Sequence, residues 1–557
     1  MSAVGTPSST PQDRGVPALH VASTVGRCYQ TDANACPSGG FDDIGQPAHC
    51  RLAPASRPNA ELAYRVLETT PLLSPPVPCA LKDAELASYT SQTTRSVLWD
   101  ETKILLKYSF PVFGTHVMEH SIMMATVISI GHISTVALAA ATLGFMTANV
   151  TGLSIVQGMA NTLDTVLPPA WTSDQPQLVG LWTQRMTILI SIVLIPVLAL
   201  WFHAEPILLG LNQGPEIARL AGIYLKWASL GLPAYAFNCV SRRYFQSQGL
   251  FTVPTRITLF IAPINIFLNC LLVWGPEPFC LGFIGAPIAA SISYNVVAVA
   301  SVVYGVFFVP RTAWHPITVR AFTNLGYLAK LSSGGVGQLA SAWWSWELVG
   351  LAASFLGPVP LAAQSVLITT SSSFYQAPYA LSIATSVRIG NLLGERNAKR
   401  ARVVVKASFL IVIVLATLFS CTLITFRRSW GYLFNNDPEV IQLVAAVLPL
   451  LALVQICDDG SGVVSGILRA RGEQVLGALL NISAYYIVGL PIGLWLTFKL
   501  DFGLFGLWWG LNIAVVSAAS TGLYLCLITD WDKEVDKVAA RLAVDKGYKP
   551  VDEEHTH

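Results

Sequence analysis

Three carboxylates lie inside stretches of the sequence that are otherwise apolar. Glu347 stands in ASAWWSWELVGLAASFLG, and Asp458 and Asp459 are adjacent in VQICDDGSGVVSG. An ionisable side chain inside a membrane helix costs roughly 2.5 to 3.5 kcal/mol on insertion scales, so it usually faces water or a bound ligand. These acids therefore predict a polar pathway through a membrane-embedded protein.

The neighbours of Glu347 indicate what its carboxylate can do. On a helix this acid shares a face with Trp343, Trp344 and Leu351. A carboxylate beside such apolar surface resists ionisation and can hold a proton near neutral pH. An organic cation competes for the same place, because indole rings attract it and the ionised acid neutralises it. Proton and cation then exclude one another, which is the minimum requirement for antiport.

The composition indicates a membrane protein that crosses the bilayer many times. The chain has 557 residues, of which 53% are hydrophobic and 12% charged, and its mean hydropathy is +0.55. In soluble proteins about a quarter of the residues are charged. Residues 1–100 differ, being rich in Pro, Ser and Thr, and we expect a disordered cytosolic tail there. The net charge of +2 is scattered between apolar runs, which argues against a nucleic-acid partner.

Apolar stretches from Ile104 to Thr529 predict about twelve transmembrane helices, since ~20 helical residues cross a bilayer core. Their expected starts are residues 104, 134, 180, 217, 251, 283, 328, 359, 403, 440, 475 and 504. Alternate loops hold most of the Lys and Arg, for example Arg388 to Lys406, and such loops are cytoplasmic as a rule. Both termini, including the tail 531–557, are therefore expected in the cytosol.

The second half of the chain repeats the first. The stretch that begins RYFQSQG at Arg243 has a counterpart that begins RARG at Arg469. Three pairs of glycines share an offset of roughly 220 residues: Gly249 with Gly472, Gly282 with Gly503 and Gly285 with Gly506. We predict an all-α fold of two six-helix lobes related by a parallel repeat, with lobes at 101–310 and 311–530. Such repeats place the substrate site near the membrane midplane.

Several longer stretches resemble the multidrug and toxic compound extrusion family, chiefly its eukaryotic branch. They are ELVGLAASFLGPVPLAAQSV, APYALSIATSVRIGNLLGERNAKRAR and SGILRARGEQVLGALLNISAYYIVGLPIG, with RRYFQSQG in the first half. The resemblance implies a twelve-helix exporter that exchanges protons, or sodium in some members, for organic cations and toxic metabolites. It also implies that Glu347 is the family's seventh-helix acid and Asp458 its tenth-helix acid. Asp459, Gly460 and the Arg471-Gly472-Glu473 stretch depart from the family pattern.

The sequence thus predicts a secondary antiporter for organic cations, drugs or toxic metabolites, and not an enzyme. The coupling ion is H+, with Na+ as the alternative, and no other cofactor is expected. We expect the protein to lie in the vacuolar membrane or the plasma membrane. The expected coupling and substrate-binding residues are Glu347, Asp458 and Asp459, and the expected cavity-lining residues are Trp343, Gln364, Tyr375, Asn481 and Tyr485. The competing interpretation is that these polar groups only bond helices together.

Two further interpretations stay open. His116, Glu119 and His120 spell H-x-x-E-H, the inverted signature of zinc peptidases, which would indicate an intramembrane protease. Alternatively, His116 and Glu119 form a proton or cation site in the first lobe, or they only pack in its interior. The other alternative function is a flippase for lipid-linked precursors, built on a related fold with more helices.

Overall fold

The computed structural model describes residues 94–435 and 437–546, which form helices and no strand. The first half consists of α1 (Thr94–Gly131), α2 (Thr135–Ala148), a π-helical segment (Asn149–Leu153), α3 (Ser154–Asn161), α4 (Leu163–Trp171), α5 (Leu178–Phe202), α6 (Ala204–Gly210), α7 (Pro215–Ala228), α8 (Leu232–Ser247), α9 (Thr252–Trp274) and α10 (Gly285–Phe308). The second half consists of α11 (Leu325–Ser354), α12 (Pro358–Gly394), α13 (Ala398–Thr425), α14 (Arg427–Trp430), α15 (Pro438–Arg471), α16 (Gln474–Asn481), a second π-helical segment (Ile482–Gly489), α17 (Leu490–Lys499), α18 (Leu504–Leu527) and α19 (Trp531–Lys546).

The predicted all-α membrane fold is confirmed. Up to α18, the described helices group into twelve long segments, because α2–α4, α7–α8 and α16–α17 are each nearly continuous. Eleven predicted starts lie within five residues of the observed ones. Only α1 begins ten residues early, because its first turns carry Arg95, Asp100, Glu101 and Lys103 and so lack an apolar signature. Of the described segments, eight are long and apolar enough to cross a membrane on those grounds alone.

Paired glycines show the repeat in the backbone. Gly249 follows α8 with φ +79°, and Gly472 ends α15 with φ +76°. Gly282 and Gly503 precede α10 and α18 with φ +59° and +54°. L-residues with a Cβ rarely adopt these angles, whereas glycine does so freely. Corresponding helices of the two halves therefore end and begin with the same local geometry, as the parallel repeat requires.

Each half has its own apolar core, and the cores meet at one end of the bundle. Trp182 and Trp201 belong to the core of the first half, and Trp508 to that of the second. Leu105 and Val112 of α1 pack instead against residues of the second half, while Leu328 of α11 packs into the core of the first. We call this end, where α1 begins and α12 and α15 finish, the basic face.

Helix α19 follows the last long segment and packs on the basic face. Trp531 is 2% exposed, and Glu534 accepts a hydrogen bond of 3.1 Å from Arg471 of α15. Lys537 donates a hydrogen bond of 2.6 Å to Glu473. The segment 531–557, expected as a tail, thus starts with a docked helix. Almost all of the expected N-terminal tail, residues 1–100, lies outside the described residues.

Candidate functional site

A cavity of about 260 Å³, lined by both polar and apolar side chains, lies within the second half, where it faces the first. Its walls are the middle parts of α11, α12 and α15 and the second π-helical segment, and Asn149 and Asn161 reach it from the first half. The lining includes two acids, three tyrosines, two tryptophans and several small or amide side chains: Glu347, Asp458, Tyr375, Tyr379, Tyr485, Trp343, Trp346, Ser371, Ser461, Ser465, Gln338 and Asn481. Such a mixture suits a small ligand with apolar and cationic parts.

The structure brings Glu347 and Asp458 to the same cavity. Glu347 is half-buried on α11, directly after Trp346 and one turn after Trp343, and its side chain interacts with Asn149 of the first half. Asp458 projects from the middle of α15 and lies close enough to Tyr375 to interact electrostatically with it. The cavity therefore offers two carboxylates with aromatic rings beside them.

Three other predicted residues also line this cavity. Tyr485 is 3% exposed and interacts electrostatically with Asp458. Asn481 donates a hydrogen bond of 2.8 Å to the backbone oxygen of Gln338, so its amide also joins α16 to α11. Tyr375 presents its hydroxyl group towards Gly462 of α15. The predicted lining residues Trp343, Tyr375, Asn481 and Tyr485 thus come together in space.

Asp459 and Gln364 do not line the cavity. Asp459 is fully buried, and its Oδ1 accepts a hydrogen bond of 2.6 Å from Gln455, one turn earlier on α15. One residue corresponds to about 100° around a helix, so the two adjacent aspartates point in different directions. Gln364 is 1% exposed and accepts a hydrogen bond of 2.8 Å from the indole of Trp508. Both side chains therefore form hydrogen bonds inside the second half and not at the cavity.

Both π-helical segments contribute to the cavity wall. The first begins at Asn149, and the second includes Tyr485. A π-helical turn widens the helix locally and is found often at functional sites. Here the widened turns place a polar side chain from each half on the cavity. Sequence reasoning missed Asn149, because a single Asn in an apolar run carries no distinctive spacing.

His116 and Glu119 form a separate cluster in the first half. Glu119 accepts hydrogen bonds from both terminal nitrogens of Arg242, and His116 Nδ1 lies 3.4 Å from its Oε2. The His116 ring packs edge-on against Tyr379, with 5.1 Å between ring centroids. Among the described residues no third His, Cys, Asp or Glu completes a metal-binding group. The cluster is thus an ion pair behind Tyr379, and its geometry does not support the zinc-protease interpretation.

The floor of the cavity, towards the basic face, carries a positive charge. Arg469 of α15 lines it together with Asn161 and Ser382, and Arg469 Nη2 donates a hydrogen bond of 3.0 Å to Ser382. From the sequence, Arg469 was recognised only as the start of the repeated RARG stretch. In the sequence, Arg469 is distinguished only by its position three residues before a helix-ending glycine, and that position does not indicate a cavity.

Comparisons with known proteins agree with this architecture. The MatE family model matches residues 111–271 and again residues 336–495. An uncharacterized transporter of Schizosaccharomyces pombe is 35% identical to this chain. The aligned region covers 86% of this chain and 88% of that transporter. Mouse multidrug and toxin extrusion protein 2 is 30% identical, covering 79% of this chain and 77% of its own. The crystal structure of the eukaryotic MATE transporter AtDTX14 superposes with a TM-score of 0.76 at 28% identity, covering 80% of this chain and all of that one.

The family match, the relatives and the solved eukaryotic MATE structure show that this bundle of membrane helices is an integral membrane transporter, of a class that handles small molecules, and not an enzyme. The chain belongs to the MatE family, the multidrug and toxic compound extrusion transporters, since the family model matches more than half of it. The predicted family is therefore confirmed. The flippase alternative finds no support in these comparisons.

Proposed function

We propose that this protein exports organic cations or similar toxic compounds in exchange for protons, with Glu347 and Asp458 as the coupling residues. The observation that carries the proposal is that both acids line one cavity together with two tryptophans and three tyrosines. The names of two relatives, multidrug and toxin extrusion protein 2 of mouse and DETOXIFICATION 12 of Arabidopsis thaliana, support the same class of substrate.

The exchange follows because protons and the organic cation compete for the two carboxylates. When Glu347 and Asp458 are ionised, they attract a cation that also packs on Trp343 and Trp346. When they are protonated, that attraction is lost and the cargo leaves. Ionised carboxylates are costly in a membrane interior, so protonation is favourable once the cation has left.

The two halves provide the movement. In transporters built from repeats, one half rocks against the other around a fixed site, so that the site opens to each side in turn. We infer that the basic face is cytosolic, because Lys and Arg are concentrated there. A membrane potential contributes about 2.3 kcal/mol per charge per 100 mV, and a proton gradient adds to it. Either the vacuolar or the plasma membrane provides such a gradient.

Uptake by proteoliposomes tests the proposal. Vesicles with an imposed pH gradient are offered a fluorescent organic cation, and a sodium gradient is tested in parallel. The Glu347→Gln variant is expected to lose gradient-driven uptake, because it has no carboxylate to exchange proton for cation. Glu439→Gln, which changes an exposed acid at the start of α15, is the matched control and is expected to transport normally. Wild-type uptake by a folded Glu347→Gln protein would overturn the mechanism.

A further inference from the structure

A buried aspartate of the first half lies between two arginines, one from each half. Asp164 on α4 is 2% exposed, with Oδ1 3.4 Å from Arg243 Nε and Oδ2 3.5 Å from Arg469 Nε. The two arginine side chains are only 3% and 4% exposed. One carboxylate therefore lies between two guanidinium groups, away from bulk water. We call Asp164, Arg243 and Arg469 the Asp164 cluster.

Further hydrogen bonds hold both arginines in place. Arg243 donates to Asn161 and, at 3.0 Å, to Gln246, while Arg469 donates to Ser382. These neutral partners help to orient both guanidinium groups beside Asp164. The cluster contains two positive charges and one negative charge. Loss of the carboxylate would leave two buried cations facing each other, which is strongly unfavourable.

The cluster follows the repeat but is not symmetric. α8 and α15 are counterpart helices that end at the paired glycines Gly249 and Gly472. Each presents an arginine from its last two turns, Arg243 in the first half and Arg469 in the second. The counterpart of the segment that carries Asp164 is α12, whose sequence contains no acid. A single carboxylate thus serves arginines from both halves.

Hydrogen bonds beside the cluster also cross between the halves. Thr165 donates a bond of 2.5 Å to the backbone oxygen of Arg469 and accepts one of 3.0 Å from Gln474. Thr162 donates a bond of 3.2 Å to the side-chain oxygen of Gln474. Both threonines belong to the first half, and both of their partners belong to the second. These contacts require the basic face to be closed.

Backbone packing near the cluster is equally close. A Cβ added to Gly158 of α3 would lie 2.6 Å from the Cα of Val336 on α11. A Cβ added to Gly335 would lie 2.6 Å from the backbone oxygen of Gly158. The two halves touch here without side chains between them. Opening the basic face would separate this packing and the Asp164 cluster together.

We propose that Asp164 is the shared counter-ion that stabilises the closed basic face, and that Arg469 links this closure to the cavity. Arg469 belongs to both, since its side chain lines the cavity floor while its Nε faces Asp164. A contact that exists in only one of two conformations shifts their equilibrium by its free energy in that conformation. Asp164 is therefore a positioning residue. Its role in the transport cycle rests on the proposed function, whereas its effect on closure does not.

A distance measurement across the basic face tests the proposal without any transport assay. Spin labels are placed at Gln175→Cys, between α4 and α5, and Lys399→Cys, at the start of α13, since both side chains are exposed. All ten native cysteines are replaced by serine, including Cys270, Cys280 and Cys421, which are exposed in the described part of the chain. The wild-type chain should show one short distance. Asp164→Asn should raise the population at longer distances by about tenfold or more.

Two further variants make the test specific. Glu534→Gln removes a similar acid that pairs with Arg471 within the second half, and it should leave the distance unchanged. Asp164→Asn combined with Arg469→Gln removes the opposing charge, and it should restore the short distance at least in part. An unchanged distance in folded Asp164→Asn, or an equal opening in Glu534→Gln, would overturn the proposal. Should Asp164→Asn fail to fold, Arg469→Gln alone is measured and is expected to open the face. If Glu347→Gln transports normally while Asp164→Asn opens the face, the proposed function fails and this inference stands.

Discussion

Arg388 donates two hydrogen bonds, each 2.8 Å long, to the two carboxylate oxygens of Glu101. Glu101 is fully buried, and Arg400 pairs with the same carboxylate. The pairing joins α1 of the first half to α12 and α13 of the second. Glu101 precedes the apolar stretch that begins at Ile104. Burial alone would raise the pKa of Glu101, but the two guanidinium groups outweigh it and hold that pKa below its ordinary value of 4.5.

This ion pair should give the protein a defined loss of stability in acid. A carboxylate whose pKa is lower in the folded state contributes stability that is fully present above its unfolded pKa and is lost as pH falls through the folded pKa. We expect the melting temperature to stay level down to about pH 5 and to fall below pH 4.5. Glu101→Gln should lack this part of the fall. Melting curves of the purified variants across this pH range provide the measurement, and equal acid slopes would contradict the assignment.

Removal of the Glu101 carboxylate should also destabilise the protein at neutral pH. Arg388, whose side chain is 12% exposed, would lose both of its hydrogen bonds to this carboxylate, and breaking a buried pair costs about 3 to 5 kcal/mol. Glu101→Gln should therefore melt well below wild type in detergent. Asp530→Asn, which changes an exposed acid paired with Lys533, is the control and should melt as wild type does. A Glu101→Gln protein as stable as that control would show that the pair is not a structural element.

The two adjacent aspartates should differ in function. Asp458 lines the cavity, whereas Asp459 is buried and bonded to Gln455. Asp458→Asn should lose gradient-driven uptake as Glu347→Gln does, while Asp459→Asn should retain most of it. Initial rates in proteoliposomes, normalised to the amount of folded protein, measure the difference. Equal loss in both variants would mean that the pair acts as one unit.

Gln364 should act on stability and not on substrate binding. Its Oε1 accepts the indole hydrogen bond of Trp508, so Gln364→Leu leaves a buried donor unsatisfied at a cost of about 1 to 3 kcal/mol. We expect a lower melting temperature with an unchanged KM for the transported cation. Tyr375→Phe, which changes a cavity-lining hydroxyl, should alter KM instead. The double variant Gln364→Leu, Trp508→Phe should recover part of the lost stability.

A single methyl group at Gly158 should open the basic face. The added Cβ would lie 2.6 Å from a backbone atom of Val336, which cannot move aside as a flexible side chain can. Gly158→Ala should therefore lengthen the distance between labels at Gln175→Cys and Lys399→Cys. Gly326→Ala is the matched control, because a Cβ there meets nothing within 4 Å. A short distance in both variants would contradict close packing between the halves.

Hydropathy and spacing predicted most of the fold because they are local properties. Each membrane helix needs its own apolar stretch, so the starts of the long segments could be read one by one. The glycine pairs could be recognised because a left-handed helix end restricts the residue type at one position. The charged start of α1 was missed for the same reason, since that part of the helix lies beyond the apolar stretch.

Cavity-lining residues could be predicted where it was sufficient to know which side chains share one face of a single helix. Glu347 and Trp343 are one turn apart, so their common face followed from the sequence. Gln364 and Asp164 depend on partners more than a hundred residues away, Trp508 and Arg469, which no spacing rule relates to them. Asp164 did carry a usable signal. It is an acid in the apolar run NTLDTVLPPA, and the criterion that selected Glu347 would have selected it too.

Which side chains of the second π-helical segment, Ile482–Gly489, face the cavity depends on the number of residues in that segment. Each residue turns a helix by about 100°, so deleting one residue before Tyr485 would rotate its hydroxyl away without changing any cavity residue. A relative shortened by one residue there would present a different side chain to the cargo. Single-residue insertions and deletions in this segment are thus a route to new substrate selectivity that a comparison of aligned positions would overlook.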